Sequence, residues 1–348
     1  MKKKKFLIDG RFLASMSTGV DRYAYQILRE LDHICADMDI SVLVPVNAKE
    51  NPKYHNIKVI VMKRTRFWTQ LVFGTYAAFH RMIPVNLCNE VSVMAPKGIV
   101  CLHDVCYAET AGVFPYVNDF PKEEREWFNK IYKRICKKAK RMITVSEFSK
   151  SRIQELLGVA SDRITVIGNG WQHFEAVVPD ETVFAHNPQL VKGEYFFTLT
   201  SANRNKNLEW VIKAAEVNRD KQFVVAGKNL DGIVDFAQYP NVTYVGYASD
   251  ETAKAFMKHC RAFLFPSYYE GFGIPPLEAL STGTKVVVSK AASLPEIFGS
   301  TAYYIDPDNP AVDLSELLKK PVAAPDFVLS KYSWKNAAEK LLMLLKEF

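Results

Sequence analysis

Ala262-Phe263-Leu264-Phe265-Pro266-Ser267-Tyr268-Tyr269-Glu270-Gly271-Phe272-Gly273-Ile274-Pro275-Pro276-Leu277-Glu278 reads as a buried strand, a glycine-bearing loop and the start of a helix. The apolar run 262–265 shows no alternation, which suits a strand covered on both faces of a parallel sheet. Gly271 and Gly273 let the backbone approach a ligand closely and leave N–H groups to donate. Pro276 suits a first helical turn, so a helix is predicted over 276–282 with its positive end aimed into the loop. Glu270 precedes the glycines and Glu278 is placed in the first turn. Carboxylates accept paired sugar or ribose hydroxyls, while amides and a helix N-terminus suit a phosphate. The plainer alternative is a tight turn, with Glu278 complementing the helix dipole. Two Glu at this spacing make the motif more specific than a bare Gly-x-Gly.

The same strand-loop-helix unit recurs outward in both directions. Short apolar runs at 5–9, 41–45, 58–62, 98–102, 141–145 and 164–167 alternate with helical patterns, including 21–34 and 146–157. A second series occupies 195–200, 222–226, 242–245, 262–265, 285–289 and 302–305. Such alternation predicts two parallel α/β domains with ligands at the carboxyl ends of the strands. Residues 172–189 carry no clear period and read as a linker. The expected organisation is a first domain over 1–171, the linker, a second domain over 190–330, and a final segment over 331–348.

Composition agrees with a folded chain. The 348 residues are 48% apolar and 24% charged, with 22 Phe, 16 Tyr and 5 Trp, which excludes disorder. No apolar run approaches the roughly 20 residues a membrane span needs. Lys2–Lys5 precede only Phe6-Leu7-Ile8, so the opening reads as a first strand rather than an export signal. The six cysteines form no Cys-x-x-Cys pair and have no His cluster beside them, which argues against a zinc site or disulfide framework and for a reduced cytoplasm. Charge is uneven: residues 1–167 hold 27 Lys and Arg against 17 Asp and Glu, the remainder 18 against 21. A basic first half invites an anionic surface or a phosphorylated substrate.

Two further strand-end loops carry candidate chemistry. Ser201-Ala202-Asn203-Arg204-Asn205-Lys206-Asn207 follows the first strand of the second series. Its two cations can clamp a diphosphate and neutralise a departing nucleotide, the alternative being solvated surface charge. His103-Asp104 follows the strand at 98–102, where a His can bond a sugar hydroxyl or serve only as structure.

Glu270-x7-Glu278 around Gly-Phe-Gly-Ile-Pro, followed by Ser293-Leu294-Pro295-Glu296 and residues 303–307, resembles the family 4 retaining glycosyltransferases of GT-B fold. The likeness extends over nearly the whole chain, is most specific in 195–307, and includes bacterial mannosyl- and rhamnosyltransferases of polysaccharide synthesis. It implies a GT-B fold, two Rossmann-like parallel-sheet domains facing a central cleft, the first (1–171) binding the acceptor and the second (190–330) the nucleotide sugar, with the final helix (331–348) packing back on the first domain. It implies a nucleotide-diphosphate sugar as donor, retention of configuration, and neither a metal nor a further cofactor. Glu270 would contact the donor sugar, Glu278 the ribose, and the amides of Gly271, Phe272, Gly273 and Ile274 the sugar hydroxyls. Arg204 and Lys206 would bind the diphosphate, although their spacing departs from the commoner Arg-Lys-Asn run. His103 would contact the donor sugar and Gly19, in Ser17-Thr18-Gly19-Val20, the donor phosphate.

Other features carry less. Asp37-x-Asp39 precedes a strand, Asp306-x-Asp308 reads as a turn, and Ser293-x-x-Glu296 reads as a capping box needing no function. Between 122 and 141, Trp127, Phe128, Ile131, Tyr132 and Ile135 recur at helical spacing opposite Lys130, Lys133, Arg134, Lys137, Lys138, Lys140 and Arg141. That pattern fits a helix with a solvated basic face and, beyond it, contact with anionic lipid. The expectation is a peripheral enzyme of the cytoplasmic membrane face. It would move a hexose, first of all mannose from GDP-mannose, to a glycan or lipid-linked saccharide. No nucleic acid is expected as partner. The alternatives are a non-catalytic nucleotide-sugar-binding scaffold and a GT-B sugar phosphorylase.

Overall fold

A computed structural model describes residues 3–15, 18–49, 52–63 and 65–348. The chain separates into two compact units. The first unit comprises residues 1–110, 120–169 and 333–348, and the second 111–119 and 170–332. Residues 111–119, read above with the first domain, cluster with the second unit. The stretch read as a linker holds two short helices of the second unit, Gln172–Glu175 and Val183–His186.

The first unit holds seven strands: β1 (Lys5–Asp9), β2 (Asp39–Pro45), β3 (Lys58–Met62), β4 (Ile83–Asn86), β5 (Gly98–Cys101), β6 (Ala139–Thr144) and β7 (Ile164–Val166). They lie in the order β3-β2-β1-β4-β5-β6-β7, with every pairing parallel. Sequence reading finds six of these strands and misses β4. Pro84 is the reason, since a proline removes a ladder donor and argues against a central strand. Here it pairs with Leu7 between β1 and β5, and Gly98 packs so closely that a Cβ there would sit 2.1 Å from the Pro84 carbonyl.

The second unit holds β8 (Tyr195–Leu199), β9 (Gln222–Ala226), β10 (Val242–Tyr244), β11 (Ala262–Phe265), β12 (Val286–Ser289) and β13 (Tyr303–Ile305). All are parallel, in the order β10-β9-β8-β11-β12-β13. Strand sequence is dictated by burial: Phe196, Phe223, Val225, Leu264 and Val287 join Trp210, Val211 and Leu314 in one core.

Helix ends follow local chemistry. The helix Glu147–Leu157 begins at Ser146, whose hydroxyl accepts from the Ser149 amide, and ends at Gly158 with φ 64°. The helix Gly19–Ile34 is opened by a reciprocal capping box between Thr18 and Asp21. The C-terminal helix Trp334–Glu347 belongs to the first unit and packs on Gly19–Ile34, with Tyr23 edge-on to Trp334 at 6.2 Å.

Each strand order reverses direction once. In the first unit the reversal lies between β1 and β4, in the second between β8 and β11. In a doubly wound sheet that reversal opens a crevice at the carboxyl ends of the two strands. The loops after β8 and β11 are the two basic and glycine-bearing loops singled out from sequence.

Candidate functional site

The site of the second unit is built where the loops after β8 and β11 are stitched together. The Tyr268 amide donates to the Asn205 carbonyl at 2.8 Å, and Asn205 Nδ2 donates to the Tyr269 carbonyl at 3.1 Å. Asn207 sits in the left-handed region at φ 55° and caps the helix Leu208–Val217. Its Nδ2 also donates to the Pro266 and Pro307 carbonyls at 3.1 and 2.9 Å. One buried amide therefore ties the helix start to the loops after β11 and β13. Asx residues tolerate this backbone and supply both donor and acceptor.

This stitching brings Lys206 to Glu270. Their Nζ–Oε1 distance is 2.7 Å and both are largely shielded from water. Ser293 fixes the backbone at the same point, its hydroxyl donating to the Glu270 carbonyl at 2.9 Å. The capping box read from Ser293-x-x-Glu296 is corrected by this bond: Ser293 makes no side-chain cap to the helix Leu294–Phe298. Its hydroxyl is spent on the Glu270 loop instead.

The helix after the loop runs Ile274–Ser281, two residues earlier than predicted at its start. Gly273 is its N-cap at φ 97°, and a Cβ there would lie 2.8 Å from Leu294 Cδ2, so the position needs glycine on two counts. Pro275 and Pro276 have no N–H, which leaves the amides of Gly273 and Ile274 as the donors of the first turn.

Glu278 falls in the second turn, not the first. Dipole complementation falls off within the first turn, so it does not account for this residue. Glu278 is 3% exposed and its Oε1 accepts from His173 Nε2 at 2.8 Å. A buried carboxylate needs such a partner, because losing water without one costs several kcal/mol. His173 comes from the short helix Gln172–Glu175, in the stretch that sequence reading left as linker. No periodicity marks it. Its only signal is a His six residues after the last apolar run of the first series, 164–167.

Arg204 is not brought to this cluster. Its guanidinium is exposed, 3.7 Å from both Asp119 and Glu209, and lies over the Tyr116 ring at 5.9 Å. Asp308, read above as a turn residue, accepts from the Tyr268 hydroxyl at 3.0 Å, and Tyr116 reaches the same hydroxyl at 3.3 Å. Burial and these two contacts push the Tyr268 phenol well up, so it stays protonated and donating.

The two remaining candidates lie in the first unit. His103 is buried just past β5, with Nε2 3.0 Å from the Leu87 carbonyl and its ring edge-on to Tyr23 at 4.7 Å. Burial lowers its pKa, against smaller upward pulls from Leu87 and Asp104. The ring is therefore neutral at pH 7 and donates from Nε2, leaving Nδ1 as an acceptor. Gly19 is the exposed first residue of the helix Gly19–Ile34; Ser17 beside it lies outside the described residues.

A second carboxylate cluster stands at the reversal point of the first unit, and sequence reading missed it. Asp9 ends β1 and accepts from Trp68 Nε1 at 2.7 Å, the Arg11 amide at 3.1 Å and Asn86 Nδ2 at 3.3 Å. The Thr69 hydroxyl lies 3.0 Å from Asp9 Oδ2 and 2.8 Å from Glu90 Oε2. One hydroxyl has one proton, so both contacts are satisfied only when one carboxyl is protonated. Burial is the largest influence on each group and raises both pKa values, in the same sense.

Comparison with known proteins places this geometry. Residues 180–346 match the family of glycosyl transferases group 1, and residues 96–172 match glycosyltransferase family 4. The O-antigen chain mannosyltransferase RfbU of Salmonella typhimurium is 26% identical over 320 residues, 85% of each chain. The O-antigen chain mannosyltransferase B of Escherichia coli is 26% identical over 227 residues, which is 61% of this chain and 58% of that protein. Among solved structures, sucrose-phosphate synthase from Thermosynechococcus elongatus aligns over 99% of both chains with a TM-score of 0.73 at 16% identity.

Proposed function

Residues 180–346 match glycosyl transferases group 1 and residues 96–172 glycosyltransferase family 4, on a GT-B fold, and from that premise we propose that the chain transfers a hexose in cell-envelope polysaccharide synthesis. The donor is a nucleotide-diphosphate sugar, GDP-mannose in the first instance, and the acceptor a glycan or lipid-linked saccharide. The mannosyltransferase relatives support this choice of sugar.

The reading is carried by the Lys206–Glu270 contact at the crevice between β8 and β11. A diphosphate arriving there takes over the ammonium and releases Glu270 to accept the donor sugar's hydroxyls. Glu278, oriented by His173, accepts from the ribose. The amides of Gly271, Phe272, Gly273 and Ile274 meet the sugar, Arg204 stays outside the pair on the outer wall, and His103 and Gly19 are the first unit's candidates for donor sugar and phosphate. With no nucleophile required of the protein, the acceptor attacks the face the diphosphate leaves. The leaving group takes the acceptor proton, and configuration is retained. Stabilising the departing charge is then the main catalytic task, and fixed cations and amides do this without reorganising.

The test is a thermal-shift series with GDP, UDP and dTDP. A ligand at 100 times its dissociation constant adds about 2.7 kcal/mol, several degrees for a protein of this size. Stabilisation by GDP above the others supports the reading. No stabilisation by any of the three defeats it.

The proposal includes docking on an anionic membrane surface. No helix among the described residues is long and apolar enough to cross a membrane. The helix Lys122–Lys138 buries Tyr132 and Ile135 and exposes Lys130, Lys133, Arg134 and Lys137. Lys138 is the exception, its Nζ donating to the Ala95 carbonyl at 2.7 Å. Co-sedimentation with vesicles containing anionic lipid at low salt, lost at 1 M where the Debye length is about 3 Å, supports docking. Absence of binding at low salt removes it.

A further inference from the structure

We propose that the second unit carries a saccharide-binding groove, separate from the nucleotide cluster, that holds the trailing residues of the acceptor. This rests on the glycosyltransferase reading above. The groove is a cavity of about 610 Å³, and neither Lys206, Glu270 nor Glu278 lines it. That volume is in the range of pockets that hold a small ligand, about 300–1,000 Å³.

Its walls come from two segments that cover the same face of the sheet. One is the helix Leu208–Val217, which turns Glu209, Lys213 and Glu216 toward the cavity at i, i+4 and i+7. The other runs through 233–239 and contributes Asp235, Gln238 and Tyr239. Tyr116 and Tyr268 line it near the loop after β8.

The chemistry of this lining selects the ligand. Half-buried Tyr116 and Tyr239 put aromatic ring edges on the wall for sugar C–H groups, and buried Tyr268 backs Tyr116 from behind. Glu216, Asp235 and Gln238 supply acceptors and an amide for neighbouring hydroxyls. The cations are already matched: Lys213 pairs with Glu209 at 2.6 Å, and Arg204 stands between Asp119 and Glu209. A phosphate or nucleic acid needs an excess of positive charge that this groove does not have. A neutral polyhydroxylated chain needs none. Arg204, spaced away from the nucleotide cluster, fits this groove as a wall rather than as a second diphosphate clamp.

The test uses the full chain and a pool of α-manno-oligosaccharides of three to six residues, read by saturation-transfer NMR with and without saturating GDP. Wild type is expected to transfer saturation to the sugars in both conditions. Gln238→Trp and, from the same segment, Ile233→Trp fill the groove from exposed positions and should each weaken sugar binding by about tenfold or more, leaving the GDP thermal shift unchanged. Absence of sugar binding to wild type, displacement of the sugars by GDP, or wild-type binding in both variants overturns the groove. Failure of GDP, UDP and dTDP to stabilise the protein overturns the functional reading instead, and sugar binding that survives it stands by itself.

Discussion

The two sheets reverse strand order in the same way, yet their reversal points are wired differently. Between β8 and β11 the carboxylates are paired with bases, Glu270 with Lys206 and Glu278 with His173. Between β1 and β4 the carboxylates Asp9 and Glu90 converge on one Thr69 hydroxyl, with Arg11 reaching Glu90 at 2.8 Å. The first arrangement holds charges that, on the proposed function, a ligand would take over by exchanging partners. The second brings two carboxyls to one hydroxyl, and burial raises the pKa of both. A parallel sheet thus supplies the position of a site, while the residues at its strand ends decide how its carboxyls are partnered.

The largest expected effect comes from breaking the charged side of the comparison. Glu270→Ala and Lys206→Ala should each lower kcat by about a hundredfold or more with the fold retained, since one lost transition-state contact costs about 2.7–4 kcal/mol. Turnover and melting temperature measured together check this. Near-normal turnover in either variant removes that residue from the chemistry. Arg204→Ala, whose side chain the structure holds away from the pair, should cost less than a tenth of that loss.

His173 sharpens the same comparison. It touches Glu278 and acts through it, so His173→Ala should raise the KM for the nucleotide sugar about tenfold and leave kcat within about twofold, a hydrogen bond to a charged group being worth about 1.5–3 kcal/mol. His173→Gln, which keeps a donor, should recover part of the loss. A fall in kcat alone in His173→Ala would mean that Glu278 has been assigned the wrong task.

Ser293 separates a tether from a cap. If its hydroxyl serves Glu270, Ser293→Ala should lose about threefold to tenfold in kcat/KM, the value of one neutral hydrogen bond, with melting little changed. If the sequence-based capping box were the true role, the loss would appear in melting temperature and spare turnover.

These cases also explain what sequence makes legible. All six strands of the second unit were found, because its runs are apolar, β-branched or aromatic, and free of proline. The loops after β8 and β11 were found because glycines and paired charges at strand ends have few other uses. β4 was hidden by Pro84, and the close approach of Gly98 to it is one that no local pattern announces. His173 and the Asp9–Thr69–Glu90 cluster were hidden for another reason. His173 meets Glu278 across 105 positions and Asp9 meets Thr69 across 60, and single-chain spacing carries no sign of such pairing. Arg204 is the converse case. Its charge and spacing suited a diphosphate, but Asn205 took the position facing Tyr269 and left Arg204 to the outer wall.

The smallest expected effect tests the raised carboxyl pKa values at the first reversal point. Asp9 and Glu90 have pKa values raised in the folded protein, so both bind protons more tightly there than in the unfolded chain. Stability from that preference is full below the unfolded carboxylate pKa values, near 4, and is lost as pH rises through the folded values. Asp9→Asn keeps the Trp68 contact, through the amide oxygen, and removes one titrating group. It should therefore be relatively less stable than wild type at pH 4 and comparatively better at pH 7, a crossing of at most a few degrees in melting temperature. Thr69→Val removes the shared hydroxyl and should steepen the wild-type fall, because the two carboxyls then face each other without the donor that links them. Parallel melting curves for wild type and Asp9→Asn across pH 4 to 7 would mean that Asp9 is ionised throughout. The contrast between the two reversal points would then be one of partners only.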